Sequence, residues 1–144
     1  MLYKSGLFVG TVTVARASQE TLAVAWFINS RLKRLTKNRD LSHFSRIMKR
    51  LIVGWSNDEE FPEKINVLKC INSVDKAMEG KFRWHYEMLC EYAYPNYNGT
   101  FGAYGKPDHE TLEVNFGRYP RSRETLKGHV ESTLIICMSL LDLI

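Results

Sequence analysis

No stretch of this sequence stays apolar long enough to cross a bilayer. The longest apolar run, Leu134 to Leu143, is broken by Ser139 and Asp142, and a spanning helix needs about 20 apolar residues. A transmembrane segment and a membrane partner are therefore not expected. Nor is a secretory leader: the short apolar run Leu7 to Val14 behind Lys4 is interrupted by Gly10, Thr11 and Thr13 and lacks a convincing small-residue cleavage site. Cysteine is scarce as well. Cys70, Cys90 and Cys137 are odd in number, far apart and set among apolar neighbours, which argues against a disulfide framework and for reduced core thiols in a cytoplasmic protein. Internal repeats and low-complexity tracts are also missing.

The groupings that carry chemistry are equally thin. A tetrahedral zinc site is usually built from two short Cys/His clusters, and the nearest approach is His85 with Cys90. No elbow-type motif surrounds any Ser or Cys, as nucleophilic catalysis would need. Gly99, Gly102 and Gly105 are spaced G-x-x-G-x-x-G, which is not a phosphate-binding fingerprint and reads as a flexible loop. Glu87 and Glu91 stand one helical turn apart, and such acids mostly face solvent. The expectation is a non-enzyme with no catalytic residues, no metal and no cofactor, which works by binding.

What is present is a globular composition with an uneven charge. The chain has 144 residues, 44% of them hydrophobic, enough for one packed core. Its net charge of +4 hides a gradient: residues 1–50 hold ten Lys/Arg against two acids, a balance of +8; residues 51–113 come to −5; residues 114–144 come to +1. A basic N-terminal third beside an acidic middle suits a molecule that turns one face to a polyanion and another to a basic or apolar partner.

Periodicity organises most of the chain into helices. Residues 7–14 are β-branched and roughly alternating, which suits one short N-terminal strand. From Ser18, a candidate N-cap, the spacing of Leu22, Ala25, Ile28, Leu32 and Leu35 predicts a helix to about Thr36. After a turn at KNRD, Asp40 is placed to cap a second helix whose stripe is Leu41, Phe44, Met48, Leu51, Ile52 and Trp55. The acidic stretch SNDEEFPEK around Pro62 divides a basic helical pair, 1–60, from the rest, 61–144, either as two units or as one compact domain. A third helix carries Ile65, Leu68, Ile71, Val74 and Met78 and ends at Gly80. A fourth runs from about Lys81 with Phe82, Tyr86, Leu89 and Ala93 on one face and stops before Pro95. Residues 95–107 read as an exposed loop. Asp108 then caps a short helix through Phe116, Gly117 stops it, and Ser122 caps a last helix carrying Leu126, Val130, Leu134, Cys137 and Leu141. The expected fold is all-α, a helical bundle with a C-terminal helix-turn-helix.

Two basic regions are candidates for binding. In the helix-turn-helix reading, the second helix opens with Arg121, Ser122, Arg123, Thr125 and Lys127, flanked by Arg118 and His129. Its arginines suit bidentate contact with guanine, and its Lys, Ser and Thr suit phosphates. The second region is the denser run Arg31, Lys33, Arg34, Lys37, Arg39, Arg46, Lys49 and Arg50 around the turn between the first two helices. It suits salt-dependent, sequence-independent affinity for DNA or RNA, or an acidic surface of a protein partner.

Residues 65–143 resemble the DNA-binding region of small phage transcription regulators, the late-gene antitermination Q proteins and ArpU-like regulators, which look like the fourth domain of sigma factors. Ile71, Val74 and Ala77 with Trp84, Leu89 and Tyr92 are similar to the helices that precede the motif. Leu112, Phe116 and Gly117 are similar to its first helix and turn, and Ser122, Thr125, Leu126 and Val130 to its recognition helix. The resemblance covers about half the chain. It implies an antitermination factor in the host-cell cytoplasm that binds double-stranded DNA near a late promoter and acts on RNA polymerase. The alternative expectation is a phage-type inhibitor or adaptor that occupies a host protein. Whether the chain forms a homo-oligomer is left open.

Overall fold

The computed structural model describes Leu2 and residues 4–55, 60–117 and 123–144, the side chains of residues 123–125 excepted. A single long helix, α1 (Phe8–Asn38), organises everything else. At 1.5 Å per residue its 31 residues reach about 46 Å, and α3 (Val67–Asp75), α4 (Lys81–Ala93) and α6 (Arg123–Leu143) all pack along it.

Helix α1 begins ten residues earlier than the pattern suggests, and the strand expected over 7–14 is its first two turns. Phe8, Thr11, Val12 and Gln19 recur at helical spacing and are all buried, so tertiary packing overrides the β preference of the branched residues. The polar members are accommodated inside the helix. Thr11 Oγ1 donates to the Leu7 carbonyl at 2.7 Å, Thr13 Oγ1 to Val9 at 2.8 Å, and Ser18 Oγ to Val14 at 2.9 Å, which makes Ser18 a mid-helix residue rather than a cap.

The exit from α1 follows the sequence closely. Arg39 takes a left-handed conformation with φ 53° and donates its N–H to the Leu35 carbonyl. Asp40 then accepts from the His43 N–H at 2.9 Å and caps α2 (Leu41–Ile52). Helix α2 contains no buried residue, and Leu41, Ile52 and the following Trp55 of its expected apolar stripe are exposed. Its return to α3 is fixed at Gly54, where a Cβ would run into the Arg50 carbonyl and the Lys64 Cα.

Helix α3 is capped by Asn66, which accepts from the Leu68 N–H at 2.9 Å. Gly80, at φ 85°, turns the chain into α4, and Asp75 from the end of α3 accepts from the Arg83 N–H at 2.8 Å. Helix α4 ends at Tyr94, before Pro95, as proline sterics require.

Residues 95–107 are more ordered than a loop reading allows. Tyr97–Phe101 form a wide turn closed by Asn96, which accepts from the Gly99 N–H at 2.8 Å. A single turn, α5 (Gly102–Tyr104), leads into β1 (Gly105–Pro107). Strand β1 pairs antiparallel with β2 (Val114–Phe116), with Gly105 opposite Phe116, Lys106 opposite Asn115 and Pro107 opposite Val114. The helix expected over 108–116 is thus a hairpin. Asp108 does make cap-type bonds, accepting from the Glu110 and Thr111 N–H groups, but they close the hairpin turn. Phe116 is held edge-on to Phe101 at 6.2 Å, a long-range contact that a local helix would forgo. The molecule is mostly helical with one two-stranded sheet.

Two apolar clusters line α1. One joins Ala23 and Phe27 to Cys70, Ile71, Val74, Phe82, Tyr86 and Leu140; the other joins Phe8 and Val12 to Leu89, Ala103 and Leu126. Between them lies a polar layer. The amide Nε2 of Gln19 stands 2.9 Å from Nδ1 of His85, and both side chains are buried. Cys70 is buried, Cys90 and Cys137 are half-buried, and all three are free thiols. Among the described residues no helix is long and apolar enough to cross a membrane.

Candidate nucleic-acid interface

Residues three, four or seven apart share a helix face. That spacing puts Arg31 and Arg34 together on α1, His43, Arg46 and Arg50 on α2, and Lys69, Ser73 and Lys76 along α3 and its last turn. The fold brings these three faces around one open-sided groove of about 800 Å³. Six cationic side chains line it: Arg31, Arg34, Arg46, Arg50, Lys69 and Lys76.

Little in the protein neutralises them. Among the described residues, Arg50 is the one member of the six with a carboxylate in salt-bridge range, Glu63 at 3.1 Å, and it also donates through Nε to the Glu63 carbonyl at 2.9 Å. Arg46 lies 3.1 Å from Nδ1 of His43; a guanidinium only donates, so His43 accepts there. Arg31 lies over the Phe27 ring at 4.5 Å, a cation–π contact. Its Nε is buried and has no hydrogen-bond partner among the described residues. Burial pushes the neighbouring Cys70 thiol up, and the Arg31 charge offsets part of that rise. Like charges gathered in one concavity repel, and an anion between them relieves the repulsion.

In comparisons with protein families, with characterised proteins and with solved structures, nothing matches the chain. The geometry of the groove is therefore what the functional reading rests on.

The groove gathers half of the basic run. Arg31, Arg34, Arg46 and Arg50 line it, whereas Lys33, Lys37 and Arg39 are exposed outside its lining and Lys49 lines a neighbouring recess with Leu41, Ser42, Ser45 and Pro62. Sequence reasoning missed His43, Lys69 and Lys76. The two lysines sit in the acidic middle segment, where segment charge conceals them; their seven-residue spacing with Ser73 between is the signal that marks one helical face.

The other candidate region is described only in part. Arg118, Arg121 and Ser122 lie outside the described residues, as do the side chains of Arg123 and Thr125 on the first turn of α6. Lys127 is exposed, with its ammonium 3.8 Å from Glu131. His129 turns inward: it is half-buried, 4.7 Å from the Tyr92 ring and 6.2 Å from the His85 ring. Burial lowers its pKa.

His85 is a buried titratable group on α4. Burial, and then the charge of His129, lower its pKa. Its Nε2 and the Gln19 Oε1 are both buried without a hydrogen-bond partner. Nearby, Tyr86 donates its hydroxyl to Glu20 Oε1 at 2.9 Å, and burial raises its pKa well above the usual tyrosine value. Among the described residues, no three metal-ligating side chains converge.

Proposed function

We propose that this protein binds nucleic acid through the basic groove between α1, α2 and α3, and that it acts by binding rather than by catalysis. The observation that carries this reading is the convergence of six cations from three helices on one cavity, with a single carboxylate paired to them among the described residues. Arginine suits phosphate oxygens because its planar fork donates two parallel hydrogen bonds, and lysine adds a point charge. Within this reading the regulatory class implied by the C-terminal resemblance, a DNA-binding factor acting on RNA polymerase, stays a proposal. The hairpin at 105–116 stands where that motif would place its first helix, so the groove, rather than the start of α6, is the anchoring surface we favour.

A protein partner is the second reading. It is favoured by a stripe on α6, where Leu134, Ile135, Met138 and Leu141 are each more than half exposed. Apolar patches of this kind mark interaction surfaces.

Equilibrium binding of the full chain to nucleic acid over a salt series tests the first reading. Affinity is expected to fall steeply with salt, with a log–log slope of about 0.9 per neutralised phosphate on duplex DNA. Arg34→Ala with Arg46→Ala should flatten that slope by about two contacts, and Lys127→Ala on α6 should leave it unchanged. Absence of binding at low salt to duplex and single strand alike would reject the proposal.

A further inference from the structure

We infer that the groove takes single-stranded nucleic acid, with the phosphodiester backbone inside it and a base stacked on Trp55. This rests on the groove being the nucleic-acid site and goes on to name the form of its ligand. The first argument is shape. The cations face one concavity from three sides, and its volume of about 800 Å³ falls within the roughly 300–1,000 Å³ of pockets that enclose small ligands. Arg31 lines it, half-buried on Phe27 with a buried Nε that has no hydrogen-bond partner among the described residues. A duplex carries its phosphates on the outside of a stiff cylinder, which would meet the rim and leave Arg31 untouched. A single strand turns at every nucleotide, so one phosphate enters and is met by α1, α2 and α3 together.

The second argument is an exposed aromatic outside the groove lining, tied through Glu63 to one of the groove cations. Trp55 is 65% exposed, an unusual state for so large an apolar side chain. Its backbone is nevertheless fixed: the N–H donates to the Pro62 carbonyl at 3.0 Å, and Trp55 bridges Glu63. Glu63 is the residue that Arg50 grips through both its carbonyl and its carboxylate. One residue therefore links the backbone that carries the exposed indole to a groove cation. A basic track for the backbone with an aromatic platform beside it is how proteins hold single strands without reading sequence. Because every base has a π-face, the surface is expected to tolerate both DNA and RNA.

The test uses the full chain at low salt with four probes: short oligothymidylate, short oligouridylate, an abasic strand of the same length and a duplex of the same length. Both base-bearing strands are expected to bind at least about tenfold more tightly than the duplex. Trp55→Ala should weaken them about tenfold or more, Trp55→Phe should restore most of the loss, and the abasic strand should not distinguish these variants. Lys69→Ala with Lys76→Ala should weaken all three strands and lower the log–log salt slope by about 1.4, at about 0.7 per phosphate on single strands. Duplex binding as tight as single-strand binding, or a Trp55→Ala loss that is equal on the abasic strand, overturns this inference and leaves the groove function standing. Failure of all four probes to bind overturns the groove function itself.

Discussion

His85 shows how much a single buried residue can set. It occupies the polar layer between two apolar clusters, bonded to Gln19 on one side and facing His129 on the other. Its pKa is lowered in the folded chain, first by burial and then by the His129 charge. A depressed folded value means that the unfolded chain takes up the proton more readily. Stability is therefore full above the ordinary histidine value of 6.5 and declines as pH falls through it toward the lower folded value. The His129 ring faces His85 at 6.2 Å, and the Tyr92 ring lies against His129 at 4.7 Å. Urea midpoints measured from about pH 7.5 to about pH 5 should fall in the native chain and fall less in His85→Gln. An unchanged slope in that variant would place the effect elsewhere. Nothing in the sequence singled out this layer: a histidine at position 85 and a glutamine at position 19 are 66 residues apart, and only the packing of α4 on α1 makes them partners.

At the scale of elements, α2 differs from the other long helices. It buries no residue, so little packing energy holds it, and its geometry depends on its ends. Asp40 supplies the N-cap, Lys49 and Arg50 sit at the C-terminal end where cations favour the helix dipole, and Gly54 admits the close return of the chain. Asp40→Ala is expected to lower stability by about 1 kcal/mol. It should also raise amide exchange in 41–52 far more than in α3 or α4, and weaken nucleic-acid binding because His43, Arg46 and Arg50 lose their placement. Equal protection across all helices in the variant would contradict the marginal state assigned to α2. The cap at Asp40 and the stop at Tyr94 were legible in the sequence because each depends on neighbouring residues only, whereas the third helix, expected to run to Gly80, ends at Asp75 and Gly80 instead opens α4. The helical start at Phe8 and the hairpin at 105–116 were not legible. Each sets a local preference against a distant partner, Leu89 and Leu126 in one case and the Phe101 ring in the other, and the partner prevails.

For the whole molecule, the proposed binding predicts that affinity follows the balance between the groove cations and the carboxylate paired with Arg50. Glu63 is 83% exposed and holds Arg50 at 3.1 Å, a pair worth no more than about 1 kcal/mol in water. Removing its charge with Glu63→Gln should free Arg50 for phosphate and raise single-strand affinity by up to about fivefold, as read by fluorescence titration; a fall in affinity would mean that the pair positions Arg50 rather than competes for it. The sequence by itself determined the helical character, the α2 cap at Asp40, the end of α4 before Pro95 and the basic run around the first turn, because these follow from period, capping chemistry and composition along short windows of chain. Only the tertiary structure decided that Lys69 and Lys76 from the acidic middle join Arg31, Arg34, Arg46 and Arg50 in one groove, while Lys33, Lys37 and Arg39 stay outside its lining and His129 turns toward the core. Charge is a property of residues, but a binding surface is a property of the helices that carry them, and the crossing of α2 and α3 over α1 is fixed by long-range packing that no local pattern contains.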